Sequence, residues 1–232
     1  MKKILLAFLL LWVFSGCVEK PNEKEKGENL VKAEEYFNRG TIKFNLKNYE
    51  EAILDYNMAI KLNPKFKEAY INRGISKGHL KDFKGTFSDF DKVIELNPEY
   101  AEAYNNRGTT KSHLEDFKGA ILDYNMAIEL NPQYAEAYCN RGNTKCNLED
   151  YEEAILDYNM AIELNPEYAE AYNNRGTIKG YLKDFKGAIL DFSKAIELNP
   201  EFTLAYYNRS RAKYHLKNYE GAILDYNKAN EL

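Results

Sequence analysis

Apolar residues recur along most of this chain at helical spacing, and the spacing breaks off at regular intervals. Between residues 101 and 114, Ala103, Tyr104, Gly108 and Leu114 fall on one face of a 3.6-residue period, with polar residues between them. Asp116 then offers an N-cap, and Ala120, Ile121, Tyr124, Ala127, Ile128 and Leu130 form a second apolar stripe. Asn131-Pro132 ends that stripe, because the residue before a proline is pushed out of the helical region. The pattern predicts a helix, a tight turn and a second helix. Gly108 on the first stripe and Ala120 and Ala127 on the second let the two approach, and Tyr104, Phe117 and Tyr124 fill the remaining space.

The same pattern returns along the chain. Pro64, Pro98, Pro132, Pro166 and Pro200 stand 34 residues apart. A fixed period of this size implies a stack of like units that bury their apolar faces on one another. Six units follow: 33–66, 67–100, 101–134, 135–168, 169–202 and 203–232. The pattern resembles the tetratricopeptide repeat, with Tyr104 at the family's first aromatic position and Gly108, Ala120, Tyr124, Ala127 and Pro132 at family spacing. The resemblance implies an all-α, right-handed superhelical solenoid of six helix-turn-helix hairpins. Two departures stand out. Arg39, Arg73, Arg107, Arg141, Arg175 and Arg209 replace the leucine that precedes the family's glycine, and Thr86 and Val93 replace alanines in the second unit, whose hairpin should pack wider. Glu35 in the first unit and Asn230 in the last replace the inner Ala and Ile, as the polar ends of a solenoid require.

The segment ahead of the repeats has a different character. Met1-Lys2-Lys3 precedes an apolar run from Ile4 to Phe14, then Ser15-Gly16-Cys17. A basic start, a short apolar core and small residues form a secretory signal, too short for the roughly 20 residues a spanning helix needs. Phe14-Ser15-Gly16-Cys17 resembles the lipobox of bacterial lipoproteins, with Phe14 where that family usually has Leu. The resemblance implies a signal peptide over 1–16 and a diacylglycerol on Cys17, and so a membrane tie through the N-terminal lipid. Val18 is not the Asp that marks inner-membrane retention in some diderm bacteria, which leans the expected location to the outer membrane. The repeats would then face the periplasm or the exterior. Residues 17–32, rich in Glu and Lys, are expected to form a flexible charged tether.

Charge narrows the function. The net charge is −4 with mixed signs, which argues against nucleic acid, since that needs a basic stripe. Asp55, Asp89, Asp123, Asp157, Asp191 and Asp225 recur with the six arginines, and predict a ladder of partly buried ion pairs between helices. His79, His113 and His215 lie one and three units apart, too far to share a metal, and are expected at the surface. Cys139 and Cys146, seven residues apart on one helix, are about 10 Å apart and out of disulfide reach. No catalytic grouping, cofactor or metal is implied.

The third and fourth units differ at few places. Asn105/Cys139, Thr109/Asn143, Ser112/Cys146 and His113/Asn147 all fall on one face of the first helix. In tetratricopeptide arrays that face lines a concave groove. Phe37, Phe44, Tyr181, Tyr207 and Tyr214 are assigned to the same face, with an unbroken row of Asn38, Asn72, Asn106, Asn140, Asn174 and Asn208 between them. The family uses this Asn position to hold a peptide backbone, and an amide both donates and accepts. Glu34, Glu68, Glu102, Glu136 and Glu170 make the groove mouth acidic, so the expected partner is a neutral or basic protein or peptide segment. The expectation is a membrane-anchored protein-interaction scaffold. The alternatives are an assembly helper for an outer membrane, pilus or secretin, and an accessory small-molecule-binding subunit of an enzyme system.

Overall fold

The structure, a computed structural model, describes residues 22–232. The described residues form twelve α-helices in six hairpins: α1 (Glu23–Asn45) with α2 (Tyr49–Leu62), α3 (Lys67–His79) with α4 (Phe83–Leu96), α5 (Ala101–His113) with α6 (Phe117–Leu130), α7 (Ala135–Asn147) with α8 (Tyr151–Leu164), α9 (Ala169–Tyr181) with α10 (Phe185–Leu198), and α11 (Thr203–His215) with α12 (Tyr219–Glu231). Each helix packs chiefly on its neighbours in sequence. Successive first helices also touch (α1 with α3, α5 with α7, α7 with α9, α9 with α11), while no two second helices come as close. The stack is therefore tighter along the row of first helices, which forms its concave side.

Local chemistry sets each hairpin. In the first, Asn48 N–H donates to the Lys43 carbonyl at 2.9 Å and Lys47 N–H to the Phe44 carbonyl at 2.8 Å, which closes the helix C-terminus with a left-handed residue. That residue is never glycine: Lys47, Lys81, Glu115, Glu149, Lys183 and Lys217 all have φ of 60–67°. The carboxylates of Asp82, Asp116 and Asp184 then cap the second helices of their hairpins by accepting from the backbone N–H three residues on.

The two helices of a hairpin meet at one glycine. A Cβ on Gly108 would stand 2.9 Å from the Tyr124 ring and 3.2 Å from the Ala120 carbonyl oxygen. At Gly74, in the second hairpin, the nearest atom would be 3.3 Å away, so this hairpin is more open, as Thr86 and Val93 imply. Ala103, Ala120, Ala127 and the alanines at the same positions of the other inner hairpins are sealed, and Tyr56, Phe90, Tyr124, Tyr158 and Phe192 fill the core of the first five hairpins.

The charged segment departs from expectation. Helix α1 starts at Glu23, so residues 23–32, assigned to a flexible tether, are helical and exposed apart from half-buried Asn29. Asn22 caps the helix by accepting from Glu25 N–H at 2.9 Å, and Glu23 and Glu25 complement the dipole. Once the repeat has nucleated the helix, extending it costs only propagation. The signal-like run and Cys17 lie outside the described residues. No described helix is long and apolar enough to cross a membrane.

Candidate functional site

The concave face rests on a charged ladder that joins each hairpin internally and to its predecessor. Arg107 Nε and Nη2 donate to the two Asp123 oxygens at 2.9 and 2.7 Å, and its Nη1 reaches back to Asp91 on α4 at 2.7 Å. All six arginines pair with the aspartate 16 residues on. Each guanidinium also lies over the tyrosine three residues before it, Arg107 at 5.5 Å from the Tyr104 ring. The expected ladder is present, with one member sequence reasoning missed. Lys43, Lys77, Lys111, Lys145, Lys179 and Lys213 each place Nζ within 2.7–3.0 Å of the same buried aspartate. Their 34-residue recurrence was the available signal. Hydrogen bonds from Arg39 and Lys43 hold the Asp55 carboxyl below its ordinary range despite burial. At Asp225 burial pushes the pKa up, but bonds from Arg209 and Lys213 outweigh it and the net direction is also down.

The ladder fixes the register in which the asparagines meet. Asn140 Nδ2 donates to Asn105 Oδ1 at 3.1 Å, Asn174 to Asn143 Oδ1 at 2.9 Å, and Asn208 to Asn173 Oδ1 at 3.1 Å. Asn72 reaches Thr41 Oγ1 at 3.5 Å. Each of these bonds runs from one first helix to the first helix before it. The side-chain oxygens of Asn72, Asn140 and Asn208 take no partner among the described residues, and the amides of Asn72, Asn140 and Asn174 keep a second N–H, while Asn208 also donates to Thr177 Oγ1 at 3.4 Å. Asn106 and the more exposed Asn38 make no side-chain bond at all among the described residues. Glu34, Glu68, Glu102, Glu136 and Glu170 are exposed.

The five aromatics do not share one surface. Phe37 and Phe44 are half-buried in the seam between the first two hairpins: Phe37 packs on Phe66 at 4.9 Å between ring centres, and Phe44 on Tyr49 at 5.5 Å and His79 at 6.0 Å. Tyr207 and Tyr214 are exposed, but at the end of the stack, in an apolar trough with Tyr219, Ile223 and Tyr226. Tyr181 opens on the groove, in a small pocket with Asn208, Arg211 and His215, and packs on Tyr151 at 4.7 Å. The residue that faces the seam lies next in sequence to one that faces the groove, so a one-position difference moves a side chain about 100° around the helix.

The same correction applies to the variable positions. Asn105 and Cys139 are sealed in the seam, while Asn143, His113 and Asn147 are exposed. Asn105 donates to Tyr134 Oη and Glu136 Oε1, both at 3.3 Å. Variation between units thus includes seam packing as well as groove lining. Both Cys139 and Cys146 are free thiols, and burial pushes Cys139 up to about 11. The histidines are exposed, and each stacks on an aromatic of the preceding hairpin: His79 on Tyr49, His113 on Phe83 and His215 on Phe185, at 4.3–4.8 Å. Sequence reasoning also missed a row on the opposite, convex side, where Leu54, Leu122, Leu156, Leu190 and Leu224 are exposed at one repeat position.

Comparison with known proteins agrees with this architecture. Family models described as "Tetratricopeptide repeat" match residues 33–66, 101–134, 135–168 and 169–202, and residues 204–232. A search of the curated proteins finds no match. Among solved structures, YrrB, described as a TPR protein with an unusual peptide-binding site, is 26% identical, with a TM-score of 0.59 over 78% of this chain and 94% of that one. MamA is 27% identical, with a TM-score of 0.61 over 68% and 92%. Pseudomonas aeruginosa pilF reaches a TM-score of 0.74 over 86% and 90%, but at 13% identity that likeness is one of fold alone.

Proposed function

The chain belongs to the tetratricopeptide repeat family, and from that premise we propose that it is a protein-interaction scaffold whose concave asparagine row holds an extended partner segment by its backbone. The observation that carries this is the row itself. Inter-repeat hydrogen bonds fix Asn72, Asn140, Asn174 and Asn208 in register, yet each retains hydrogen-bonding capacity toward the groove. A backbone presents alternating donors and acceptors, which a fixed row of amides can meet without reading side chains. Side groups prepared in this way lose little entropy on binding. The peptide-binding site of the TPR protein YrrB is in keeping with this. The exposed glutamates at the mouth favour a neutral or basic segment. Tyr181 and Arg211 add an anchor near the fifth and sixth hairpins.

The scaffold is further proposed to be a lipoprotein held through Cys17. Six chain steps lead from Cys17 to Glu23 and reach at most about 20 Å, and residues 23–32 add about 15 Å of helix. The stack would therefore stand within about 35 Å of the lipid. Cys17→Ser should abolish partition of the protein into the Triton X-114 phase. For the groove, peptides selected from a random library would be titrated against Asn106→Ala/Asn140→Ala and the convex-side control Lys118→Ala. The asparagine pair should weaken binding by about 1–3 kcal/mol. Loss on Lys118→Ala with no loss on the asparagine pair would refute the groove.

A further inference from the structure

The sixth hairpin leaves open an apolar face that the five before it bury. At the position of Tyr226, the five earlier hairpins carry Tyr56, Phe90, Tyr124, Tyr158 and Phe192, all at most 2% exposed, whereas Tyr226 is 50% exposed. Tyr207 is exposed where Asn105, Cys139 and Asn173 are sealed, and Ile223 is 60% exposed where Ile121, Ile155 and Ile189 are half-buried. These side chains, with Tyr214 and Tyr219, line an open apolar trough of about 450 Å³. Asn230 stands where the inner hairpins carry Ile, and Ser210, Arg211 and His215 also line the trough.

The first hairpin carries the opposite half of the same seam. Ile42 is 62% exposed, while its counterparts Ser76, Thr110, Thr144, Ile178 and Ala212 are all buried. Arg73, Arg107, Arg141, Arg175 and Arg209 each donate from Nη1 to the residue 16 positions back, on the preceding hairpin. Arg39 Nη1 has no such acceptor among the described residues. The matching acceptor position in the last hairpin is Asn227, which is exposed and makes no side-chain bond there. One end thus has a donor without an acceptor, and the other an acceptor without a donor.

The two polar end residues also correspond. In the inner seams the positions of Glu35 and Asn230 share one apolar cluster, as Ala171 does with Ile162 and Ala103 with Ile94. An Asn amide can donate to a Glu carboxylate there. Charge agrees as well, with Glu34 and Glu35 exposed at the first hairpin and Arg211 exposed at the last.

We propose that copies of this chain join head to tail, with α1 of one copy seated on the last hairpin of the next. The joint repeats the internal seam, with a Glu–Asn hydrogen bond in place of an Ala–Ile contact. It is heterologous, so it propagates into an open superhelical string instead of closing as a dimer. Because the inner Ala–Ile contact is replaced, the joint separates on dilution while the hairpins within a chain stay stacked.

The test is light scattering on the full chain in mild detergent, from about 1 μM to about 100 μM, the range in which a weak interface assembles. The wild type should grow past the dimer as concentration rises. Ile42→Glu spoils only the first end and Ile223→Glu only the last, so each alone should remain monomeric. Mixed in equal amounts, they should form a heterodimer and stop there. Both side chains are exposed, so the melting temperature and helical signal should be unchanged; Tyr226→Ser is a second variant of the last end and should behave as Ile223→Glu does. A wild type monomeric throughout, a dimer formed by either variant alone, or a mixture that stays monomeric would overturn the proposal.

Discussion

Removing Arg107 tests the ladder that positions the concave face. The side chain makes two hydrogen bonds to buried Asp123, one to exposed Asp91, and lies over Tyr104. Breaking a buried pair by deleting one partner costs about 3–5 kcal/mol, and an exposed pair is worth about 0–1 kcal/mol. Asp123 does not lose all its neutralising charge in Arg107→Ala, because Lys111 Nζ remains 2.9 Å away. The loss should therefore fall between those limits, at about 1–3 kcal/mol. Urea unfolding, followed by circular dichroism and by tyrosine fluorescence, would read it as a lower midpoint at unchanged slope. The decisive quantity is the coupling between Arg107→Ala and Asp123→Asn in a double-mutant cycle, expected at about 1–2 kcal/mol. Arg107→Ala with Asp91→Asn should couple by less than about 1 kcal/mol, since Asp91 is exposed. Zero coupling between Arg107 and Asp123 would refute the ladder as a source of stability.

Two further outcomes follow from the same geometry. Asp55 and Asp225 have lowered pKa values in the fold, so their contribution is complete above the unfolded carboxylate value of about 3.9 and is lost as pH falls through the folded values. Hydrogen exchange below about pH 4 should show α2 and α12 opening; stability that rises on acidification through that window would contradict the assignment. Glu115 holds φ at 63°, a region costly for any residue with a Cβ, so Glu115→Gly should stabilise the protein by up to about 1 kcal/mol, and a lower melting temperature would contradict this.

The hairpins were legible because each is bounded by local signals. Pro132 closes a helix, Asp116 opens one, and Gly108 faces Tyr124 at a spacing that only an antiparallel pair explains. The Arg–Asp ladder was legible because both residues recur with the period, but Lys111 read as an ordinary solvated lysine although it is bound to a buried carboxylate. Contacts between hairpins were harder to read. Phe37, Asn105 and Tyr207 occupy one repeat position, yet one is packed in a seam, one sealed and one exposed, according to what stands next to each. Helical periodicity tells which residues share a face, not which neighbouring helix covers it. The stacking of His113 on Phe83 spans 30 residues and needs the superhelix to be visible. Residues 23–32 read as coil from composition alone, because composition does not register that the repeat helix behind them is already nucleated.

The concave face is tested most directly by amide hydrogen exchange on the full chain, with and without a library-selected peptide at saturation. Added protection is expected in α5, α7 and α9, the first helices that carry Asn106, Asn140 and Asn174, with α6 and α8 unchanged. Protection confined to α6 and α8, which carry the exposed Leu122 and Leu156, would place the partner on the convex side and contradict it.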